Sequence, residues 1–234
     1  MSGDDIRFRP IGRIYTDFPT KFGLPRQSAP GSALTGRVVF EPEYRVREAF
    51  RGLESVSHIW LLWLFSAPPN GGWSPTVRPP RLGGNRRMGV FATRSPNRPN
   101  PIGLTCVKLE AVEPDTRDGP VLYVSGVDMQ SGTPLLDVKP YLPYADARPD
   151  ACGGFGETVK DKRLTVDFPP ALLARLAPDK RAGAAELLAQ DPRPGYHADP
   201  ARVYRIAYAG KDMHFTVADG VLTVTDVTEI NNDR

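Results

Sequence analysis

Between Gly89 and Thr105 the chain sets Arg94, Ser95, Asn97, Arg98 and Asn100 among Pro96, Pro99 and Pro101. Closely spaced prolines fix φ and remove backbone donors, so this stretch is neither helix nor central strand. It is a stiff loop presenting two guanidinium groups and two amides. That chemistry suits phosphates, carboxylates and base edges. The flanks strengthen the reading. From residue 75 to 108 lie Arg78, Arg81, Arg86, Arg87, Arg94, Arg98 and Lys108 without one Asp or Glu, in a chain whose formal net charge is only +3. A one-signed patch attracts polyanions, and arginine reads phosphate and base edges better than lysine.

A second constellation spans residues 128–146: Asp128, Ser131, Gly132, Thr133, Pro134, Asp137, Lys139, Pro140, Tyr141, Pro143, Tyr144 and Asp146. Ser131 to Pro134 reads as a tight turn. Asp137, Lys139 and Tyr141 alternate, so in extended chain they share one face. A carboxylate there binds a ribose diol or orients an amine, and a tyrosine stacks on a base. An edge strand with surface charges fits the same residues. A third element, Phe22 to Gln27, is a Gly/Pro loop ending in the planar polar pair Arg26 and Gln27.

The elements that must position these groups are mostly strands. Ile11–Asp17 and Gly36–Phe40 read as strands, and Val46–Phe50 as a short helical or extended piece. Ser57–Phe65 is apolar at nearly every position, the pattern of a strand buried on both faces. Met88–Thr93, Ile102–Glu113 and Val121–Val127 follow as strands. Short strands joined by turn-rich loops predict a sandwich or a closed barrel. Composition shifts near residue 165. Pro170–Ala177 and Pro178–Gln190 read as helix. Tyr204–Tyr208, Met213–Val217 and Val221–Val227 read as a β-meander turning at Gly210-Lys211 and Asp219-Gly220. The fold class expected is mainly β, with a β domain over residues 1–160 and a small α+β domain over 161–234.

Other classes are disfavoured. No Gly-rich fingerprint follows a strand, and no P-loop, H-E-x-x-H or G-x-S-x-G motif occurs. Cys106 and Cys152 form no disulfide or metal framework, and His58, His197 and His214 are scattered, so no metal is expected. The 234 residues include 25 prolines, yet apolar runs separate the proline clusters, which predicts ordered loops. The longest apolar run, His58 to Pro69, is too short to span a bilayer. Met1–Pro10 is polar and charged, unlike a secretion signal. Reduced cysteines and this start predict a cytoplasmic protein.

Long motifs in the chain resemble the TrmO family. They are Gly71-Gly72-Trp73, Pro75 to Asn85, Met88 to Ser95, Arg98 to Gly103, Asp137 to Pro143, Phe22 to Gln27 and Asp191 to Pro194. The resemblance covers nearly the whole chain. It implies an S-adenosylmethionine-dependent tRNA methyltransferase acting on N6 of the threonylcarbamoyl-adenosine just 3′ of the anticodon in threonine tRNA. It also implies a single β-barrel with a smaller C-terminal domain, and a homodimer. By position it assigns Pro25, Arg26, Gln27, Ser66, Ala67, Arg94, Leu104, Asp128, Met129, Gln130 and Ser131 to the cofactor. Arg94 then suits the methionine carboxylate, Asp128 a ribose hydroxyl or the amino group, and Leu104 the adenine.

For that reaction an exocyclic amine attacks a sulfonium methyl in line, and its lone pair is delocalised into the ring. The protein must align the reactants and accept a hydrogen bond from the amine N–H. Asp137 and Asn100 are the candidate acceptors, with Tyr141 or Tyr144 stacking the base. Arg78, Arg81, Arg86, Arg87, Arg98, Lys139 and Arg193 are the candidate RNA contacts. Two other classes compete: a non-catalytic RNA-binding barrel, which binds RNA but not S-adenosylmethionine, and a small-molecule hydrolase or isomerase, which has no preference for tRNA.

Overall fold

The structure, a computed structural model, describes residues 6–25, 31–65, 73–79, 86–159, 163–193 and 199–230. Its first strands are β1 (Gly12–Thr16) and β2 (Thr35–Phe40). A 3-10 turn at Arg47–Phe50 leads to β3 (His58–Leu64). The two-residue strands β4 (Thr76–Val77) and β5 (Met88–Gly89) form a small ribbon. Then come β6 (Ile102–Thr116), β7 (Gly119–Ser125) and β8 (Thr133–Pro140). Among the described residues β1, β2, β7, β6, β3 and β8 close, in that order, into an antiparallel barrel.

The barrel interior is filled by Ile14, Val38, Ile59, Leu61, Val107, Leu122, Val124 and Leu135, nearly all without exposure. A barrel of six strands is narrower than the eight-stranded barrels whose lumen side chains just fill. A ligand therefore has to sit at a barrel end or on its outside. Each fully buried aliphatic side chain contributes about 1.5–3 kcal/mol.

One irregularity sets the orientation of the second constellation. Leu62 pairs with Asp137, but Trp63 pairs with Leu135, so Leu136 is an extra residue on β8. A bulge of this kind resets the two-residue alternation. Thr133 and Leu135 are buried, whereas Asp137 and Lys139 turn outward with their side chains 42% and 60% exposed.

After β8 come a single helical turn α1 (Pro143–Asp146), β9 (Thr165–Asp167), α2 (Pro170–Leu173) and α3 (Arg181–Ala189). The meander β10 (Tyr204–Tyr208), β11 (Lys211–Ala218) and β12 (Val221–Glu229) follows. The hairpin turns carry Ala209, Gly210, Asp219 and Gly220 at positive φ. β9 pairs parallel to β12 and completes a four-stranded sheet. One apolar core runs from the barrel into this sheet, through Phe18, Leu34, Leu187, Tyr208 and Phe215.

Two expectations need correction. Ser57–Phe65 is not sealed on both faces: Ile59, Leu61 and Trp63 are buried while His58, Trp60, Leu62 and Leu64 are only half-buried. Met88–Thr93 is not one strand, because Val90–Ala92 forms a 3-10 turn into the proline loop.

Candidate functional site

The proline loop shows how its sequence is held. Prolines supply no N–H, so side chains satisfy the carbonyls. The Arg98 guanidinium donates to the Thr93 and Ser95 carbonyls at 2.9 and 3.3 Å. The Thr93 hydroxyl donates to the Val90 carbonyl at 2.8 Å and accepts from the Ser95 N–H at 3.2 Å. The Phe65 N–H donates to the Pro101 carbonyl at 2.9 Å, tying the loop to the end of β3. The loop is thus a rigid wall at the barrel end where β3 finishes and β6 and β8 begin.

That wall encloses a pocket of about 500 Å³, a size that takes a cofactor. The β1–β2 connection contributes Lys21, Leu24 and Pro25, and the proline loop Thr93, Arg94, Pro96 and Arg98. The strands contribute Trp63, Phe65, Leu104 and Thr105, and the β7–β8 loop Asp128, Met129 and Gln130. Lys21, Arg94 and Arg98 face a lining whose one carboxylate among the described residues is Asp128.

The floor is built around a glycine. A Cβ on Gly103 would lie 2.2 Å from the Trp63 ring, so only glycine lets that indole lie across β6. The Trp63 indole N–H donates to the Thr105 hydroxyl at 3.1 Å, and that hydroxyl donates to Asp128 Oδ1 at 2.8 Å. A hydrogen bond to a charged group contributes about 1.5–3 kcal/mol, and this one fixes the carboxylate's orientation. Trp63 and Phe65 meet at 4.2 Å between ring centroids and form an aromatic surface beside it.

Six of the residues expected to bind the cofactor therefore line one pocket: Pro25, Arg94, Leu104, Asp128, Met129 and Gln130. Ser131 does not. Its N–H donates to the Phe18 carbonyl and its hydroxyl accepts from the Thr16 N–H, so it fastens the β7–β8 loop to the end of β1. Arg26, Gln27, Ser66 and Ala67 lie outside the described residues. The sequence reading missed Lys21, Trp63, Phe65, Gly103 and Thr105. An indole and a phenylalanine in an apolar strand look like core, and Thr105, between Leu104 and Cys106, carries no signal of its own in the sequence.

None of the four expected catalytic residues is among the described residues lining the pocket. Asp137 faces outward because of the bulge, binds Lys139 Nζ at 2.7 Å and accepts its neighbour Val138's N–H at 2.9 Å. It contributes to a second cavity at the opposite barrel end, with Tyr44, Phe50 and Leu53. Tyr141 packs against Trp60 and His58 on the outer face. Tyr144 is 85% exposed. Asn100 is exposed in the proline loop, between Arg98 and Ile102, both of which line the pocket.

Of the expected RNA contacts, Arg78, Arg86 and Arg87 are exposed around the β4–β5 ribbon. Arg87 reaches the Thr76 hydroxyl at 2.9 Å. Arg98 staples its own loop, Lys139 pairs with Asp137, and Arg81 lies outside the described residues. Arg193 is turned inward at 16% exposure and grips Asp191 through two nitrogens at 2.8 and 2.9 Å. Cys106 is half-buried and Cys152 exposed, and the two form no disulfide. Among the described residues no cluster of His, Cys, Asp and Glu could hold a metal, and no helix is long and apolar enough to cross a membrane.

The outer face also carries a titrating contact. Asp146 Oδ2 accepts the Leu142 N–H and the Trp60 indole N–H, each at 2.9 Å. These donors, the backbone one first, hold the Asp146 carboxyl below the usual carboxylate range. A lowered folded-state value means the contact is intact above the unfolded value and is lost as pH falls through the folded one. The Trp60 indole proton resonance is expected to titrate with a midpoint below ~3.9, the ordinary Asp value. A midpoint at or above that value would show that the hydrogen bonds do not form.

Residues 13–147 match the tRNA-methyltransferase O N-terminal domain, and residues 161–230 match the TrmO C-terminal domain. The chain belongs to the TrmO family. An Escherichia coli K12 relative named tRNA (adenine(37)-N6)-methyltransferase is 42% identical over 222 residues, 92% of this chain and 94% of that protein. An Eikenella corrodens relative of the same name is 46% identical over 177 residues, 75% of this chain and 99% of that protein. A crystal structure of a P. aeruginosa TrmO superposes with a TM-score of 0.77 at 34% identity, over 97% of this chain and 98% of that one. The closed barrel is thus the TrmO fold.

Proposed function

We propose that this protein transfers a methyl group from S-adenosylmethionine to N6 of adenosine 37 of tRNA, and that the barrel-end pocket is the cofactor site. The observation that carries the reading is the meeting of Pro25, Arg94, Leu104, Asp128, Met129 and Gln130 in one pocket. They come from four separate stretches of a chain whose relatives bear that activity in their names.

The chemistry of the lining fits the cofactor part by part. Arg94 and Lys21 suit a carboxylate. Asp128, oriented by Thr105, suits a ribose hydroxyl or an ammonium. The Trp63–Phe65 surface and Leu104 suit a purine. When bound, S-adenosylmethionine supplies an electrophilic methyl on a sulfonium. The chain's task is alignment, which is worth up to ~7–11 kcal/mol, and acceptance of the N6–H bond as nitrogen becomes positive. Of the acceptors considered, Asn100 is the one retained, because its loop walls the pocket and its side chain is exposed to an incoming base. Asp137 is not carried forward, since its carboxylate is held by Lys139 and Val138 on the far side of the bulge. After transfer the N6 proton goes to water, so no residue with a shifted pKa is needed as base.

In the finer reading the substrate is the threonylcarbamoyl-adenosine of threonine tRNA, the enzyme works as a homodimer in the cytoplasm, and the chain divides near residue 160 into barrel and C-terminal modules. Arg86 and Arg87 then contact phosphate beside the anticodon. Replacing both by Ala is expected to leave cofactor affinity unchanged and to reduce the salt slope of tRNA binding by roughly two; an unchanged slope in filter binding places them elsewhere. The function itself is tested by nucleoside mass spectrometry of tRNA from a strain lacking the protein. The methylated threonylcarbamoyl-adenosine should disappear and its unmethylated form accumulate. Unchanged nucleosides refute the reading.

A further inference from the structure

The β1–β2 connection, which brings Lys21, Leu24 and Pro25 to the pocket, is held from outside the barrel at several separate points. At its start, Asp17 binds Lys180 Nζ at 2.7 Å, both side chains being mostly buried, and the Asp17 carbonyl accepts the Ala209 N–H at 2.9 Å. Phe18, only 2% exposed, packs its ring 5.6 Å from Tyr208. In its middle, Gly23 at φ +77° lies so close to β10 that a Cβ would stand 2.2 Å from Ile206 Cδ1. At its far end the Ala33 N–H donates to Glu186 Oε2 on α3 at 2.7 Å. Lys180, Glu186, Ile206, Tyr208 and Ala209 all belong to the C-terminal module. On its other side the same connection meets the pocket: the Phe18 carbonyl accepts the Ser131 N–H, and the Pro19 carbonyl accepts the Gln130 amide at 2.8 Å.

From this we infer that the C-terminal module is a positioning device for the cofactor wall. It sets where Lys21, Leu24 and Pro25 stand, with Lys180 and Ile206 as positioning residues, and so sets S-adenosylmethionine affinity without touching the reacting atoms. The inference rests on the reading of the pocket as the cofactor site. The physical reason is tolerance: a binding constellation has to be held to about 0.5 Å, and the stretch from Asp17 to Pro25, without helix or strand, supplies no such rigidity by itself. The Gly23–Ile206 contact is its gauge, because β10 is locked into the core at that point, Ile206 being 1% exposed.

The full-length protein is compared as wild type, Gly23→Ala, Ile206→Ala and the double variant, by calorimetry with S-adenosylmethionine, thermal melting and single-turnover methylation at saturating cofactor. The Gly23→Ala methyl has to push the connection off β10, so Kd should rise about tenfold or more, as sub-ångström misplacement does, while the saturating rate stays within about threefold. Ile206→Ala removes both atoms the new methyl would strike, Cδ1 at 2.2 Å and Cγ1 at 2.7 Å. In the double variant Kd should recover at least about threefold although a core truncation lowers the melting temperature. A purely structural role predicts the opposite, with Kd and melting temperature worsening together. An unchanged Kd in Gly23→Ala, or a loss that Ile206→Ala does not relieve, overturns the inference. If Gly23→Ala does not fold, Lys180→Met serves, with Lys180→Arg as its conservative control: Kd should rise for Met and return for Arg, and equal Kd values overturn the inference. Arg94→Ala is run alongside. Unchanged binding in Arg94→Ala refutes the pocket as the cofactor site; weakened binding there with none in Gly23→Ala refutes only the positioning role.

Discussion

Arg94→Ala is expected to weaken S-adenosylmethionine binding by ~1.5–3 kcal/mol, the range for a hydrogen bond to a charged group, or roughly 10- to 150-fold in Kd. Arg94 leaves the chain between Thr93 and Pro96, both pocket-lining, on a loop stapled by Arg98. The Arg98 bonds hold the loop whatever stands at position 94, so the variant should stay folded. Arg94→Lys separates charge from shape. An ammonium keeps the attraction but loses the planar fork that meets a carboxylate through two N–H groups. Its affinity should fall between wild type and Ala. Calorimetry reads both variants, and an Ala variant that binds like wild type would remove Arg94 from the site.

Gly103→Ala should be damaging for a different reason. The added methyl meets the Trp63 ring at 2.2–2.5 Å on three atoms. Trp63 is 8% exposed and cannot swing into solvent. Overpacking of this kind costs about 1–3 kcal/mol, which lowers Tm by roughly 2–4 °C per kcal/mol for a chain of this size. The cofactor effect should exceed what that instability explains. The displaced indole withdraws its N–H from Thr105, and Thr105 is the group that orients Asp128. Kd for S-adenosylmethionine is expected to rise about tenfold or more at temperatures where the variant is fully folded, a consequence of misplacing a binding group. Thr105→Val, which deletes only the hydroxyl, should reproduce the affinity loss with a smaller change in Tm. If Gly103→Ala melts early but binds the cofactor normally, the Trp63–Thr105–Asp128 chain does not serve the site.

Much of the barrel was legible because its strands are bounded by glycine and proline and their apolar runs are long; β1, β2, β6 and β7 fall within a few residues of their expected limits. β9 was invisible: three residues pairing parallel with a strand more than fifty positions later leave no local pattern. The bulge at Leu136 was equally hidden. Alternation placed Asp137, Lys139 and Tyr141 on one face, and Asp137 and Lys139 do share one, but nothing in the sequence says that an extra residue turns that face away from Thr133 and the pocket. The candidate site divides the same way. Arg94 and Asp128 announce themselves by charge in proline-rich or turn-rich surroundings. Trp63 and Gly103 acquire meaning only through each other across two paired strands, a relation that no reading along one strand contains.

Methyl transfer to N6 can be followed by incubating the purified protein with tRNA bearing threonylcarbamoyl-adenosine and S-adenosylmethionine labelled in its methyl group, then digesting the tRNA to nucleosides for mass spectrometry. Label should appear on the threonylcarbamoyl-adenosine nucleoside, with the methyl on N6, and Arg94→Ala at the same cofactor concentration should lag far behind wild type. Label on a different nucleoside, or none on any while the protein still binds tRNA, would contradict methyl transfer to N6.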